Sequence, residues 1–320
     1  MRVRLMLAAV LSTAALLLTA CGGGSGDTFS QESSGSSSGS GGSKGHVVVG
    51  GANFTEMLIM QAMYSQLLQN AGYDTETVTA GQREVYFPEL ASGRIGVVPE
   101  YAATLAEYLN VGANGAQATP IATNDATTTV EAMRPLAEKK GVVILDPAKA
   151  ADQNGFAVSK QFAEQHSLKT LSDLGALGQP VVLAATEECP QRPFCGPGLT
   201  KTYGIQISEV KPTGFGSPQT KQAVQSGEAQ LGLVATTDGT LDQFGLVLLQ
   251  DDKHLQLADN LVPAVNADLG KDKTLVEALN SLADVLTTDD LVQLNSKVDA
   301  QRQQPVDVAE EYLKSKGLVG

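Results

Sequence analysis

Tryptophan is absent from the 320 residues, and all aromatics together make up 5%. Basic side chains are the minority: 22 Lys and Arg against 35 Asp and Glu give a formal net charge of −13. Phosphate binding needs clustered Lys and Arg, and no basic stripe runs through this chain, so nucleic acid is not an expected partner. Cysteine and histidine number three each. They are too scattered for a zinc centre, with no CxxC pair and no HExxH. The phosphate-cradling patterns GxxxxGK[ST] and GxGxxG are also missing. These absences weigh against an ATPase, a metalloenzyme or a dehydrogenase, and no cofactor is expected. What remains is 42% hydrophobic residues, enough for a packed core.

The N-terminus reads MRVRLMLAAVLSTAALLLTAC. Arg2 and Arg4 form a positive start, and Leu5 to Thr19 is apolar but short for a membrane span. The segment closes on Leu18-Thr19-Ala20-Cys21, which resembles the bacterial lipobox, in which the Cys is lipidated. Residues 1–21 are therefore expected to be a lipoprotein signal, with Cys21 the lipidation site. Residues 22–45 are almost entirely Gly and Ser. Such a segment buries no apolar surface, and it reads as a disordered tether with a reach of roughly 25–30 Å. The expected location is the cell membrane, lipid-anchored on the extracytoplasmic face.

From residue 46 the chain alternates. His46–Gly50 reads as a buried strand, and the segment after it as a helix capped by Thr55, with Leu58, Met60, Met63, Leu67 and Leu68 on its apolar face. Strands follow at Thr75–Ala80 and Ile95–Pro99, a helix at Arg83–Ser92, and another helix opening at Tyr101. After about residue 149 the alternation resumes, with strands at 156–158, 180–184, 208–211, 229–234, 246–249 and 260–265. The stretch from Leu275 to Lys316 is rich in helix. This pattern predicts an α/β chain of open, mostly parallel sheets with helices on both faces. Ligands of such sheets sit at strand ends and at domain interfaces.

Several strings, in order and spacing, resemble the substrate-binding proteins of ABC importers for osmoprotectants, the ProX/OpuC-like family that takes glycine betaine, carnitine, choline or proline betaine. They are Asn53-Phe54-Thr55-Glu56-Met57, the run from Gly93 through Pro99-Glu100-Tyr101 to Thr104, Leu168–Leu174, Thr237-Asp238-Gly239, Val247–His254 and Leu294–Asp299. The resemblance spans roughly residues 47–320. It implies a two-lobed, type II periplasmic-binding-protein-like fold with the ligand cleft between the lobes and no catalysis. The first lobe would take 46–148 plus 250–320 and the second 149–249. Two crossovers would lie near 146–152 and 247–253. The implied partners are a small-molecule ligand and an ABC permease in the membrane, and the implied state is a monomer.

A quaternary ammonium donates no hydrogen bond and is held by aromatic faces, at about 0.5–2 kcal/mol each. A betaine carboxylate needs opposing donors. Carried over residue by residue, the family pattern makes Tyr101 a cage tyrosine and Thr104 its partner on the first helical turn. It makes Arg192, in Cys189-Pro190-Gln191-Arg192-Pro193, a ligand-contacting arginine. Asn53, Asn154, Phe156 and Thr236 complete the expected contacts. The sequence also departs from the pattern. A family lysine is Ala52 and a family glutamine is Met57. Two expected aromatics fall at Ala235 and Asp259, which leaves Tyr101 and Phe156 as the cage. The expected cleft is therefore wider than a betaine cage, lined also by Met57 and Asp259, and suited to a larger aromatic or polyhydroxylated ligand.

With Cys21 taken by lipid, Cys189 and Cys195 remain, close together in an exported chain, and a disulfide between them is expected. Two alternatives to a transport role stand beside this reading. One is a surface lipoprotein acting as a sensor or adhesin on the same fold. The other is an exported enzyme, which no nucleophile–base arrangement around His46, His166 or His254 supports.

Overall fold

A computed structural model describes residues 43–320. The expected signal segment, the expected lipidation site Cys21 and the expected tether up to residue 42 lie outside the described residues. Among the described residues no helix is long and apolar enough to cross a membrane.

The first lobe begins β1 (His46–Gly51), α1 (Thr55–Asn70), β2 (Asp74–Thr79), α2 (Arg83–Ala91), β3 (Val97–Tyr101), α3 (Ala102–Asn114), α4 (Ala126–Glu138) and β4 (Val142–Ile144). The second lobe holds β5 (Asn154–Ser159), α5 (Lys160–His166), α6 (Leu171–Ala176), β6 (Val181–Ala185), α7 (Gly196–Tyr203), β7 (Ile207–Pro212), α8 (Pro218–Gln225), β8 (Leu231–Ala235) and β9 (Leu246–Leu249). The chain then returns to the first lobe with β10 (Leu261–Asn266), α9 (Lys273–Ala283), α10 (Thr288–Asp299) and α11 (Pro305–Ser315). Each lobe is built on a five-stranded sheet, in the orders β2-β1-β3-β10-β4 and β7-β6-β8-β5-β9. The two connecting segments run side by side, where Ala151 pairs antiparallel with Asn260.

The sheets are mixed, which corrects the expectation of mostly parallel strands. β1 pairs parallel with β2 and β3, but β10 runs antiparallel to β3 and β4. In the second lobe β6 pairs parallel with β7 and β8, while β5 runs antiparallel to β8 and β9. The reason is topological. β5 and β10 each enter their sheet from a crossover rather than through a helix on the same sheet, so the right-handed βαβ rule does not set their direction.

α1 is the central helix of the first lobe. Met57, Ile59, Met60, Met63, Tyr64, Leu67 and Leu68 are all buried, spread around the helix rather than along one stripe. A helix apolar all round is an interior helix, and α1 packs between its sheet and α9, α10 and α11. Phe54, not Thr55, is its N-cap residue, without a side-chain cap bond. The Thr55 hydroxyl donates instead to Asp299 at the end of α10. Capping boxes at Thr170–Asp173 and Thr287–Asp290 start α6 and α10. α4 and β4 were not anticipated. Asp125 caps α4 by accepting from the Thr128 amide, and Val130, Met133 and Ala137 give it a buried stripe at helical spacing.

Candidate functional site

A cavity of about 300 Å³ lies between the lobes, at the small end of the usual range for ligand sites. The first lobe contributes Ala52 and Phe54 from the turn before α1, Met57 from its first turn, the start of α2, and Tyr101, Thr104 and Tyr108. The second contributes Asn154, Thr186, Leu233, Phe215 and the loop from Gln191 to Cys195. The crossovers supply Asp152, Gln153 and Asp259.

Of the residues expected at the site, Met57, Tyr101, Thr104, Asn154, Arg192 and Asp259 line this cavity. Asn53, Phe156 and Thr236 do not. Asn53 is exposed. Thr236 is exposed too, and acts on the cavity through a neighbour: its hydroxyl donates to Asp152 Oδ1 at 2.9 Å and accepts from the Gln153 amide. Phe156, at 1% exposure, belongs to the second lobe's core. It sits two residues deeper into β5 than Asn154, about 6–7 Å further along the strand. Its cross-strand partner Leu233 reaches the cavity wall in its place.

More rings line the cavity than the two expected, Tyr101 and Phe156. Phe54, Tyr86, Tyr101, Tyr108, Phe194 and Phe215 all line the cavity. Phe54 stacks on Tyr101 at 6.3 Å and meets Phe215 of the opposite lobe edge-on at 5.1 Å. Phe54 lies in the very string that singled out Asn53. Phe194 follows Arg192 within the CPQRPFC loop, and Phe215 sits in a Gly-rich turn with no periodicity to mark it. Tyr101 is the last residue of β3 in extended backbone (φ −121°, ψ 127°) rather than part of a helical turn. Its hydroxyl donates to Glu56 Oε1 at 2.8 Å.

Five ionisable groups lie beside these rings. Arg83, 6% exposed, donates from Nε and Nη2 to the two oxygens of Glu100 at 2.8 and 2.7 Å, and from Nη2 to Thr104 Oγ1 at 2.9 Å. Glu100 is fully buried and also accepts from the Tyr86 hydroxyl and the Tyr101 amide. Asp259 accepts from the Thr104 amide at 3.0 Å. Burial pushes its carboxyl up to about 7, against the opposing pull of the Thr104 amide and Arg83. Behind Tyr101, Glu56 and Asp152 are joined through Thr237, whose hydroxyl donates to Glu56 Oε2 and whose amide donates to Asp152 Oδ1. Burial raises both carboxyls, and Glu56 raises Asp152 further.

Cys189 and Cys195 are joined in a disulfide, as expected, with Cα atoms 5.2 Å apart. The staple fixes the loop carrying Arg192 and Phe194, and the Phe194 carbonyl is held by Gln256 Nε2 at 2.9 Å. Replacing both cysteines by serine should lower stability by about 2 kcal/mol through the freed loop entropy. A lower urea midpoint at unchanged slope is the expected readout, and an unchanged midpoint would show that packing alone holds the loop.

Comparison with known proteins places the chain. A family described as the substrate binding domain of ABC-type glycine betaine transport systems matches residues 45–315. A glycine-betaine-binding protein of Pseudomonas aeruginosa is 26% identical over 282 residues, 85% of this chain and 88% of that protein. Among solved structures, a glycine betaine/carnitine/choline ABC transporter protein is similar with a TM-score of 0.62 at 21% identity, covering 85% of this chain and 98% of that one. A choline-binding protein in complex with choline gives 0.59 at 15% identity, with 85% and 89% covered. The likeness to these structures is one of fold, the mixed α/β, two-lobed architecture of periplasmic-binding proteins.

Proposed function

The chain belongs to the family of substrate-binding domains of ABC-type glycine betaine transport systems, and from that premise we propose that it captures a small solute of quaternary-amine type in the interlobe cleft and delivers it to an ABC permease. The family is one of transport proteins, and the chain is not an enzyme. We propose further that Cys21 carries a lipid that holds the protein at the extracytoplasmic face of the cell membrane. The lipobox-like Leu18–Cys21 and the Gly/Ser tether behind it support that location.

One observation carries the ligand reading. Phe54 and Tyr101 from one lobe and Phe215 from the other meet at the cavity, with the carboxyls of Asp152 and Asp259 on its wall. Aromatic faces and carboxyls together attract a cation that donates no hydrogen bonds. The names of the relatives, which speak of glycine betaine and choline, agree with that chemistry. A second reading, specificity moved to a larger aromatic or polyhydroxylated solute, draws on Tyr86, Tyr108 and Phe194, which continue the ring lining, and on the polar Gln82 and Gln191 beside them.

A thermal-shift panel separates the two. A solute at a hundred times its Kd stabilises the folded state by about 2.7 kcal/mol, which for a chain of this size is a rise of several degrees. Choline, glycine betaine or carnitine is expected to give that rise. Silence from the amines with a rise for a polyphenol or sugar would favour the larger ligand. Silence from the whole panel would contradict the solute-binding reading.

A further inference from the structure

Two cationic side chains, Arg83 and Arg192, line the cavity among the described residues. Neither is free. Arg83 is gripped by both oxygens of Glu100. Arg192 Nη2 reaches across the cleft to Glu84 Oε2 at 2.8 Å, from the stapled loop of the second lobe to the first turn of α2. The same Nη2 lies 3.3 Å from Glu188 Oε1, an oxygen with no hydrogen-bond partner. Burial would raise the Glu84 carboxyl, but Arg192 holds it below its ordinary value, so it is ionised at neutral pH.

This arrangement bears on what the cleft accepts. A ligand carboxylate that sought Arg192 would have to displace Glu84 and would face Glu188 at close range. A ligand ending in a hydroxyl meets no such repulsion. We propose that Glu84 is a specificity-positioning residue: by occupying Arg192 it turns the cleft toward quaternary amines that lack a carboxylate. The inference rests on the quaternary-amine reading of the cleft given above.

Choline and glycine betaine share a trimethylammonium head and differ in the group at the other end, so their affinity ratio isolates this effect. Glu84 also joins the lobes, and a purely structural role would change both affinities alike. The test is calorimetric titration of the chain and of Glu84→Gln with both solutes. The chain is expected to bind choline about tenfold more tightly than glycine betaine, and E84Q to reduce that ratio about fivefold or more, mainly by gaining glycine betaine. Glu84→Asp should keep the original ratio, and Glu84→Gln/Arg192→Gln should lose the gain, since the freed guanidinium is then gone.

An unchanged ratio in E84Q, or a chain that prefers glycine betaine, would overturn the proposal. Should E84Q fail to fold, Glu84→Ser takes its place with the same outcomes: a reduced ratio supports the proposal, and an unchanged ratio overturns it. Binding of neither solute by the folded chain would refute the quaternary-amine reading and this inference with it, an outcome distinct from binding with an unchanged ratio.

Discussion

Replacing Arg83 by alanine is expected to destabilise the protein by about 3–5 kcal/mol. The guanidinium is 6% exposed and the Glu100 carboxylate 0%. Two charges so placed are tolerable because each compensates the other, with the Tyr86 hydroxyl, the Tyr101 amide and Thr104 completing the network. Removing one partner leaves a buried carboxylate with no counter-charge, and that stranded charge is the cost. The pair itself is worth much less, since desolvating both ions consumes most of their attraction. The double variant Arg83→Met/Glu100→Gln should therefore recover most of the loss. Urea unfolding of the three variants checks this. A cost below about 1 kcal/mol for R83A would mean that Glu100 finds another partner or takes up a proton freely.

Asp259→Asn is expected to change how stability depends on pH. The Asp259 carboxyl titrates near its ordinary 3.8 in the unfolded chain and at about 7 in the fold. Between these values the unfolded chain has released its proton while the folded chain keeps it. Stability contributed by this group is therefore fully present below about pH 4 and is lost as pH rises toward 7. A displacement of that size corresponds to about 4 kcal/mol. Other groups slope both ways: Glu56 and Asp152 titrate in the same sense as Asp259, while Asp173 and Asp290 are lowered. They remain in the variant, so the difference between D259N and the parent isolates Asp259. D259N should match the parent near pH 4 and exceed it increasingly up to pH 8. Parallel curves would contradict the burial argument. Affinity for a quaternary ammonium should rise through pH 7 in the parent, as Asp259 ionises, and rise less over the same range in D259N.

How far the site could be read from the sequence depended on which contacts are local. Tyr101, Thr104 and Arg192 fall in strings with a recognisable order, and all three line the cavity. Phe194 and Phe215 were passed over because their approach to Phe54 is a tertiary event, set by a disulfide loop and a turn of the opposite lobe. Phe156 shows the converse failure. A strand's sequence reveals which residues are apolar but not how deep along the sheet the cleft lies, and two residues were enough to put the ring in the core. Sheet direction was missed for a related reason. Periodicity identifies β5 and β10 as strands, but their antiparallel course follows from the crossovers, which leave no mark on local pattern. Asp259 stands where the family pattern has an aromatic, and it lines the cavity as the sequence reading expects. Its significance lies rather in what surrounds it, the Thr104 amide and the Arg83–Glu100 pair, brought together from three separate segments.

In the proposed mode, rings from both lobes grip a cationic head, and Tyr101 joins those rings to the buried carboxyls. Calorimetric titration of Tyr101→Ala against the most stabilising quaternary amine of the panel tests it most directly. Loss of one desolvated aromatic face, about 0.5–2 kcal/mol, predicts an affinity lower by roughly 2- to 30-fold in a protein that still folds. Unchanged affinity in Y101A would contradict the account and move the ligand away from the Phe54–Tyr101–Phe215 cluster.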